Sequence, residues 1–255
     1  MKKLLKSSGW LAAGALALGL SANAQVTLFD NTTSPSPNQI LPGTAGYTAQ
    51  YGNQVFFGNG YTAVSITSFS FEYYAYGGGP GGTTFAGTPE VQVSWYLNNG
   101  PPTSSGYATP GTLVYQSNPF TIPAPASSGS MLTFSGTDFT PSGGTSSYFG
   151  AGDSVNVPSG TLTWTVQFGS MQGSDNLGVV LAGAPTVAGS SIGNDYWLYS
   201  GGAWTLNQDI SSGNPSANDN IAQTWVGTAV PEPSTLVLSL AGGFGLLMAV
   251  RRFRK

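Results

Sequence analysis

The chain has 255 residues, only 7% of them charged, with 37 glycines, 17 prolines and neither histidine nor cysteine; Gly and Pro penalise helix interiors and Ser, Thr and Asn compete for helix hydrogen bonds, so long helices are disfavoured. All seven basic residues lie at the ends, Lys2, Lys3 and Lys6 in front and Arg251, Arg252, Arg254 and Lys255 behind, which leaves residues 25–230 with nine carboxylates, no cation and a formal charge of −9. Without cations that stretch cannot neutralise phosphates, which excludes nucleic acid as a partner, and without His, Lys or Cys it has no triad, thiolate or Schiff-base chemistry and no His/Cys zinc site.

Residues 1–24 read as a secretory signal. Lys2, Lys3 and Lys6 precede an apolar run over 10–20, and Ala22-Asn23-Ala24 forms a small-x-small site that predicts cleavage before Gln25. Eleven apolar residues are too few to cross a hydrocarbon core of about 30 Å at about 1.5 Å per residue, which argues against a permanent anchor. The signal implies the Sec export machinery as a partner. The stretch behind it, residues 25–228, is long enough for one domain with a core of its own.

Three segments alternate with period two, the pattern of a strand with one buried face. Over 68–73, Phe69, Phe71 and Tyr73 oppose Ser68, Ser70 and Glu72. Over 91–97, Val91, Val93, Trp95 and Leu97 oppose Gln92, Ser94 and Tyr96, and over 161–168, Leu162, Trp164, Val166 and Phe168 oppose three threonines and Gln167. Weaker strand patterns cover 26–29, 54–57, 112–116, 131–134, 177–181, 196–199 and 222–226. Turn formers separate them at 77–82, 98–102 and 141–144. No amphipathic helix comes after the signal and no fixed-period repeat is visible. The expected fold is all-β: an antiparallel β-sandwich ectodomain of jelly-roll kind, with apolar faces between the sheets and Ser/Thr faces toward water. It is flanked by an N-terminal signal helix and a C-terminal transmembrane helix.

The chemistry left to the domain is that of carboxylates and aromatics. A carboxylate pair for glycoside hydrolysis would come from Asp30, Glu72, Glu90, Asp138, Asp153, Asp175, Asp195, Asp209 and Asp219. Most of these sit among Gly, Ser or Asn, where a turn Asp is the ordinary explanation, and the chain is read as non-enzymatic. Asn218-Asp219-Asn220 and Asp175-Asn176 hold oxygens of the type Ca²⁺ takes, but neither matches a calcium-loop pattern, so no metal or other cofactor is assigned. The cluster Asp195-Tyr196-Trp197-Leu198-Tyr199 with Trp204 is the best candidate for stacking on sugar rings, with Trp197, Tyr199 and Trp204 as the binding side chains. Tyr73-Tyr74-Ala75-Tyr76 is second. Aromatics also fill sandwich cores, and core outweighs ligand for Trp197 and Trp204, more so for Trp95 and Trp164. Asn31-Thr32-Thr33 matches a glycosylation sequon, a pattern frequent by chance.

The tail, 229–255, places Pro231-Glu232-Pro233-Ser234 before an apolar stretch over 235–250 that ends in Arg251, Arg252, Arg254 and Lys255. Sixteen residues span roughly 24 Å as a helix, a marginal crossing, and the basic end acts as a stop-transfer element that stays cytoplasmic. Proline at 231 and 233 keeps the preceding segment extended, as a protease requires.

These three parts, in this order and behind a signal peptide, resemble the PEP-CTERM sorting domain of Gram-negative bacteria. The resemblance implies recognition by a membrane-embedded exosortase, a transient inner-membrane anchor, removal of the tail near 231–234, and delivery to the cell surface or extracellular polysaccharide matrix. Segments 91–116, 161–168 and 194–206 also loosely resemble ectodomains common in such proteins, which carry no assigned activity. The leading expectation is therefore a structural or adhesive surface protein. A module that binds exopolysaccharide is the second, and a carboxylate-dependent glycosidase the third.

Overall fold

The computed structural model describes residues 25–32, 35–42, 47–76, 85, 87–123, 130–136, 154–172, 175–183, 188–192, 195–208 and 220–230. The expected signal helix, with Ala22 and Ala24, and the expected tail helix, with the sorting and basic motifs, lie outside them. The strands are β1 (Val26–Asp30), β2 (Pro35–Pro42), β3 (Ala49–Phe56), β4 (Val64–Tyr76), β5 (Glu90–Tyr96), β6 (Leu113–Gln116), β7 (Phe120–Thr121) and β8 (Ser130–Gly136). They continue with β9 (Val155–Val157), β10 (Thr161–Gly169), β11 (Asn176–Ala182), β12 (Ser190–Ser191), β13 (Asp195–Ser200), β14 (Ala203–Gln208), β15 (Asn220–Ile221) and β16 (Gln223–Ala229).

These strands form two antiparallel sheets in a β-sandwich-like arrangement. The first runs β1-β16-β4-β11-β15, with β2 on β11 and with β8 and β9 on β4; the second runs β14-β13-β3-β10-β5-β6, with β12 on β3 and β7 on β5. The thirteen-residue β4 is the spine of the first sheet. Its alternation of Phe69, Phe71, Tyr73 and Ala75 with polar residues extends the segment expected at 68–73, so one face stays apolar along its length while both edges find partners.

The inner faces meet in one aromatic core. Trp95 on β5 and Trp164 on β10 are paired neighbours, and both are fully buried, as the alternation predicted. Across the interface, the ring of Phe69 lies 4.8 Å from Trp164 and 5.9 Å from Trp95, and Trp225 on β16 lies 4.9 Å from Trp95. Each such side chain taken out of water contributes roughly 1.5–3 kcal/mol. Tyr73 is buried with its hydroxyl donating to Pro123 O at 2.8 Å, so the phenol enters the core without an unsatisfied polar group.

A chain of buried amides crosses the same interface. Gln223 Nε2 donates to Asn53 Oδ1 (3.1 Å), Trp225 Nε1 to Gln223 Oε1 (2.7 Å), and Asn53 Nδ2 to Asp195 O and Asn220 Oδ1. Asn31 Oδ1 accepts from Gln223 N at 2.8 Å while its Nδ2 donates to Ile221 O at 3.1 Å. Asn31, Asn53, Asn220 and Gln223 are all essentially without solvent exposure. Asn220 is thus committed to the interior, which takes it out of the turn considered for Ca²⁺. Its neighbours at 218 and 219 lie outside the described residues.

The structure amends two expectations. Strands β2, β7, β9, β12, β14 and β15 are not among those the sequence pattern marks: β7, β9, β12 and β15 have two or three residues, and β2 carries Pro35, Pro37 and Pro42, tolerated because proline's missing donor matters less where one side of a strand is unpaired. More significantly, the Ser/Thr face of the second sheet does not face water. Thr163, Thr165, Gln50, Gln54 and Ser94 are buried along with the apolar residues beside them.

Replacing Gln223 by Leu keeps the volume but leaves Asn53 Oδ1 and Trp225 Nε1 without those partners. The expected cost is about 2–4 kcal/mol, read as a lower urea midpoint by tryptophan fluorescence, whereas Thr205→Ala on the exposed side of β14 shifts stability by less than about 0.5 kcal/mol.

Candidate functional site

The outer face of the second sheet brings the sequence-predicted aromatics together with residues the sequence did not single out. In β13, Asp195, Trp197 and Tyr199 share this face because Trp197 pairs with Gly52 and Tyr199 with Gln50, both on the side of β3 opposite the core residues Tyr51, Asn53 and Val55. In β14, Trp204 stands opposite Tyr199 and Leu206 opposite Trp197. The β13–β14 hairpin closes through Gly201 and Gly202, at φ 60° and 85°, the two positive-φ positions a tight two-residue turn needs to hold this register.

Trp197 is fully buried, the core placement that outweighed ligand contact in its sequence reading, and it offers no open ring face for stacking. Its indole stands nearly perpendicular to that of Trp204, with centroids 6.5 Å apart, and supports the neighbouring ring. Tyr199 and Trp204 are half-buried and 4.9 Å apart. The side chain the sequence reading missed is Tyr96, whose ring lies 5.2 Å from Trp204 in an edge-to-face arrangement. The signal was present: alternation in β5 places Tyr96 with Gln92 and Ser94, an aromatic on a polar face.

Trp204 and Tyr96 belong to strands separated by β13, β3 and β10, roughly 19 Å of sheet at about 4.8 Å per step. For their rings to meet, both side chains must reach inward over a concave face. That aromatic bridge is the physical reason the polar residues beneath it are buried. Gln50 Oε1 accepts from Tyr96 OH (3.0 Å) and Thr165 Oγ1 (2.8 Å), and Gln116 Nε2 donates to Ser94 Oγ (3.0 Å). Gly52 allows β3 and β10 to close up below, since a Cβ there would lie 2.1 Å from Trp164 O.

Several polar atoms on this face remain unpaired. Gln54 Oε1, Asn98 Oδ1 and Trp197 Nε1 are buried and have no hydrogen-bond partner among the described residues. Asn98 belongs to the same face because its Nδ2 donates to Thr163 Oγ1 at 2.7 Å. Each such atom costs about 1–3 kcal/mol when unmet; Trp164 Nε1 in the inner core and Asn207 Nδ2 on β14 are unmet as well, so what sets this face apart is that its unmet atoms lie beside half-exposed rings.

The described carboxylates spread over both sheets, with Asp30 and Glu72 near enough to interact. Asp195 borders the aromatic cluster, and burial holds its carboxyl above the usual range. Glu90, at the far end of the face, accepts from Tyr47 OH (3.2 Å) and Ser170 Oγ (2.5 Å). Tyr47 and Ser170 both have positive φ, strain that Glu90 helps to hold, and burial followed by the charge of Glu90 pushes the Tyr47 phenol up. Asp175 Oδ2 accepts from Gly87 N and Gln172 N, which clamps the turn.

On the other sheet, Asp30 Oδ1 accepts from Thr32 N, Thr32 Oγ1 and Thr224 Oγ1, and burial followed by the charge of Asp30 raises Glu72. Asp138, Asp153, Asp209 and Asp219 lie outside the described residues. Among the described residues no three acidic side chains gather as a metal site would require.

Because Glu72 and Asp195 bind protons more readily folded than unfolded, stability rises as pH falls through their raised values and stops rising near their ordinary values, 4.5 and 3.8. Melting temperature is expected to increase between pH 7 and pH 5. In Glu72→Gln it is expected to be higher at pH 7 with a smaller acid gain, the Glu72 share being under about 1 kcal/mol because the group is partly solvated. Calorimetry at the two pH values checks this, and a wild-type melting temperature that falls on acidification contradicts it.

No protein-family model, curated protein or solved structure shows detectable similarity to this chain.

Proposed function

We propose that this chain is an exported, exosortase-processed protein of the cell surface or extracellular matrix, non-enzymatic and structural or adhesive in role. The observation that carries the reading is the ordered series of Lys-led apolar signal, acidic domain, Pro231-Glu232-Pro233-Ser234, apolar stretch and basic end. The end of the described domain is in keeping with it: β16 pairs through Ala229, Val230 N donates to Ala63 O at 3.1 Å, and Pro231 is the next residue in the sequence. Sheet pairing is thus described up to Val230, the residue before the sorting motif. On this reading the membrane is engaged only before processing, and Sec and the exosortase are the partners. The ectodomain is a sandwich of jelly-roll kind whose two sheets close over the aromatic core.

A second reading has an observation of its own. Tyr96, Tyr199 and Trp204 form a half-exposed aromatic group over a polar floor, the combination with which proteins stack on sugar rings while holding their hydroxyl groups. Under this reading the surface protein binds exopolysaccharide through these rings.

Intact-mass measurement on membrane, surface and medium fractions of the native host, with an exosortase-deficient strain beside it, tests the first reading. Loss of residues 1–24 in both strains, and of the chain beyond about 231–234 only where exosortase is present, is the expected result. Retention of 235–255 in both strains would make the protein an unprocessed membrane-anchored ectodomain.

A further inference from the structure

Resting on the carbohydrate-binding reading, we propose that the concave outer face of the second sheet takes uncharged glycan chains and rejects those bearing uronate, sulfate or phosphate, with Trp204 and Tyr199 as the stacking platform and Gln54, Asn98 and Trp197 meeting the sugar hydroxyls.

Three independent features of the face carry this. First, Trp204 is braced by Trp197, Tyr199 and Tyr96, at 6.5, 4.9 and 5.2 Å, so its orientation is set before any ligand arrives and little freedom is lost on binding. Second, the unpaired atoms on this face are two acceptors, Gln54 Oε1 and Asn98 Oδ1, and one donor, Trp197 Nε1. A sugar hydroxyl both donates and accepts, so one class of group satisfies all three. Gln54 is 4% exposed and Trp197 0%, so a ligand reaches them by displacing Tyr96, which closes over from β5, while Trp197 and Tyr199 of the β13–β14 hairpin keep Trp204 in place. Third, the charge on and around the face has a single sign. Asp195 borders the rings, Glu90 lies at the far end, and residues 25–230 contain no cation. An acidic sugar would enter beside a carboxylate with nothing to pair its own charge.

The test uses the protein purified from its native host, run through native gels containing soluble β-glucan, galactomannan or dextran as neutral probes and alginate or polygalacturonate as acidic ones, with EDTA throughout. Retardation by at least one neutral probe and by neither acidic one is expected. Trp204→Ala should weaken retardation at least tenfold. Gln54→Leu should weaken it several-fold while leaving the urea midpoint unchanged or higher, because it removes an unmet buried acceptor; a merely structural glutamine would lower that midpoint. Equal or stronger retardation by the acidic probes overturns the selectivity and leaves carbohydrate binding standing. Retardation that survives both substitutions overturns the assignment of the face. Absence of retardation by every probe overturns the carbohydrate-binding reading together with this inference.

Discussion

The two sheets are held face to face by a small set of rings that meet at Phe69. Its centroid lies 4.3 Å from Trp225 within its own sheet and 4.8 Å from Trp164 across the interface, with Trp95 at 5.9 Å. A domain with no cation and no cysteine between residues 25 and 230 has neither salt bridges nor disulfides available, so apolar burial and backbone pairing must supply what those would have contributed. Aromatic side chains suit this need because each removes a large area from water and fixes its neighbours through edge and tilted contacts. The other apolar positions of the core, from Leu28 to Val179, pack around that centre.

Amides take the place that ion pairs hold in other proteins. The run through Asn31, Gln223, Asn53 and Asn220 crosses from one sheet to the other with its members buried. Rings alone tolerate small slips, whereas a hydrogen-bonded amide is satisfied only in one register. This chain of amides therefore ties β1, β16 and β15 to β3 at a single alignment. It also lets the domain keep polar groups inside without burying charge, which would be far more expensive.

The second sheet is buried on both faces along its central strands β3 and β10. Its inner face meets Phe69 and Phe71, while its outer face lies beneath side chains from its own flanks, Trp204 from β14 and Tyr96 from β5. The outcome is a polar layer sealed by aromatics, with Gln50 tied to Tyr96 and Thr165 and with other polar atoms unmet. Unmet atoms also occur in the core, at Trp164 Nε1, but here they lie beside half-exposed rings that a ligand can reach. This is why the candidate site is placed there and not among the scattered carboxylates.

The all-β character, the strands at 68–73, 91–97 and 161–168, and the burial of Trp95 and Trp164 were legible in the amino-acid order alone, because period-two alternation is a local property of the chain. The grouping of Tyr199 with Trp204 was legible from their closeness in the chain, while the β13–β14 hairpin that pairs them was not. Long-range packing was needed to settle that Trp197 supports the site from within, that Tyr96 joins it from three strands away, and that Thr163 and Thr165 are buried. Those outcomes depend on which strands become neighbours and how far the sheet curves, and no local pattern encodes either. The amide chain was hidden for the same reason: Asn31, Asn53 and Gln223 look like ordinary turn or surface residues until β1, β3 and β16 bring them within hydrogen-bonding distance.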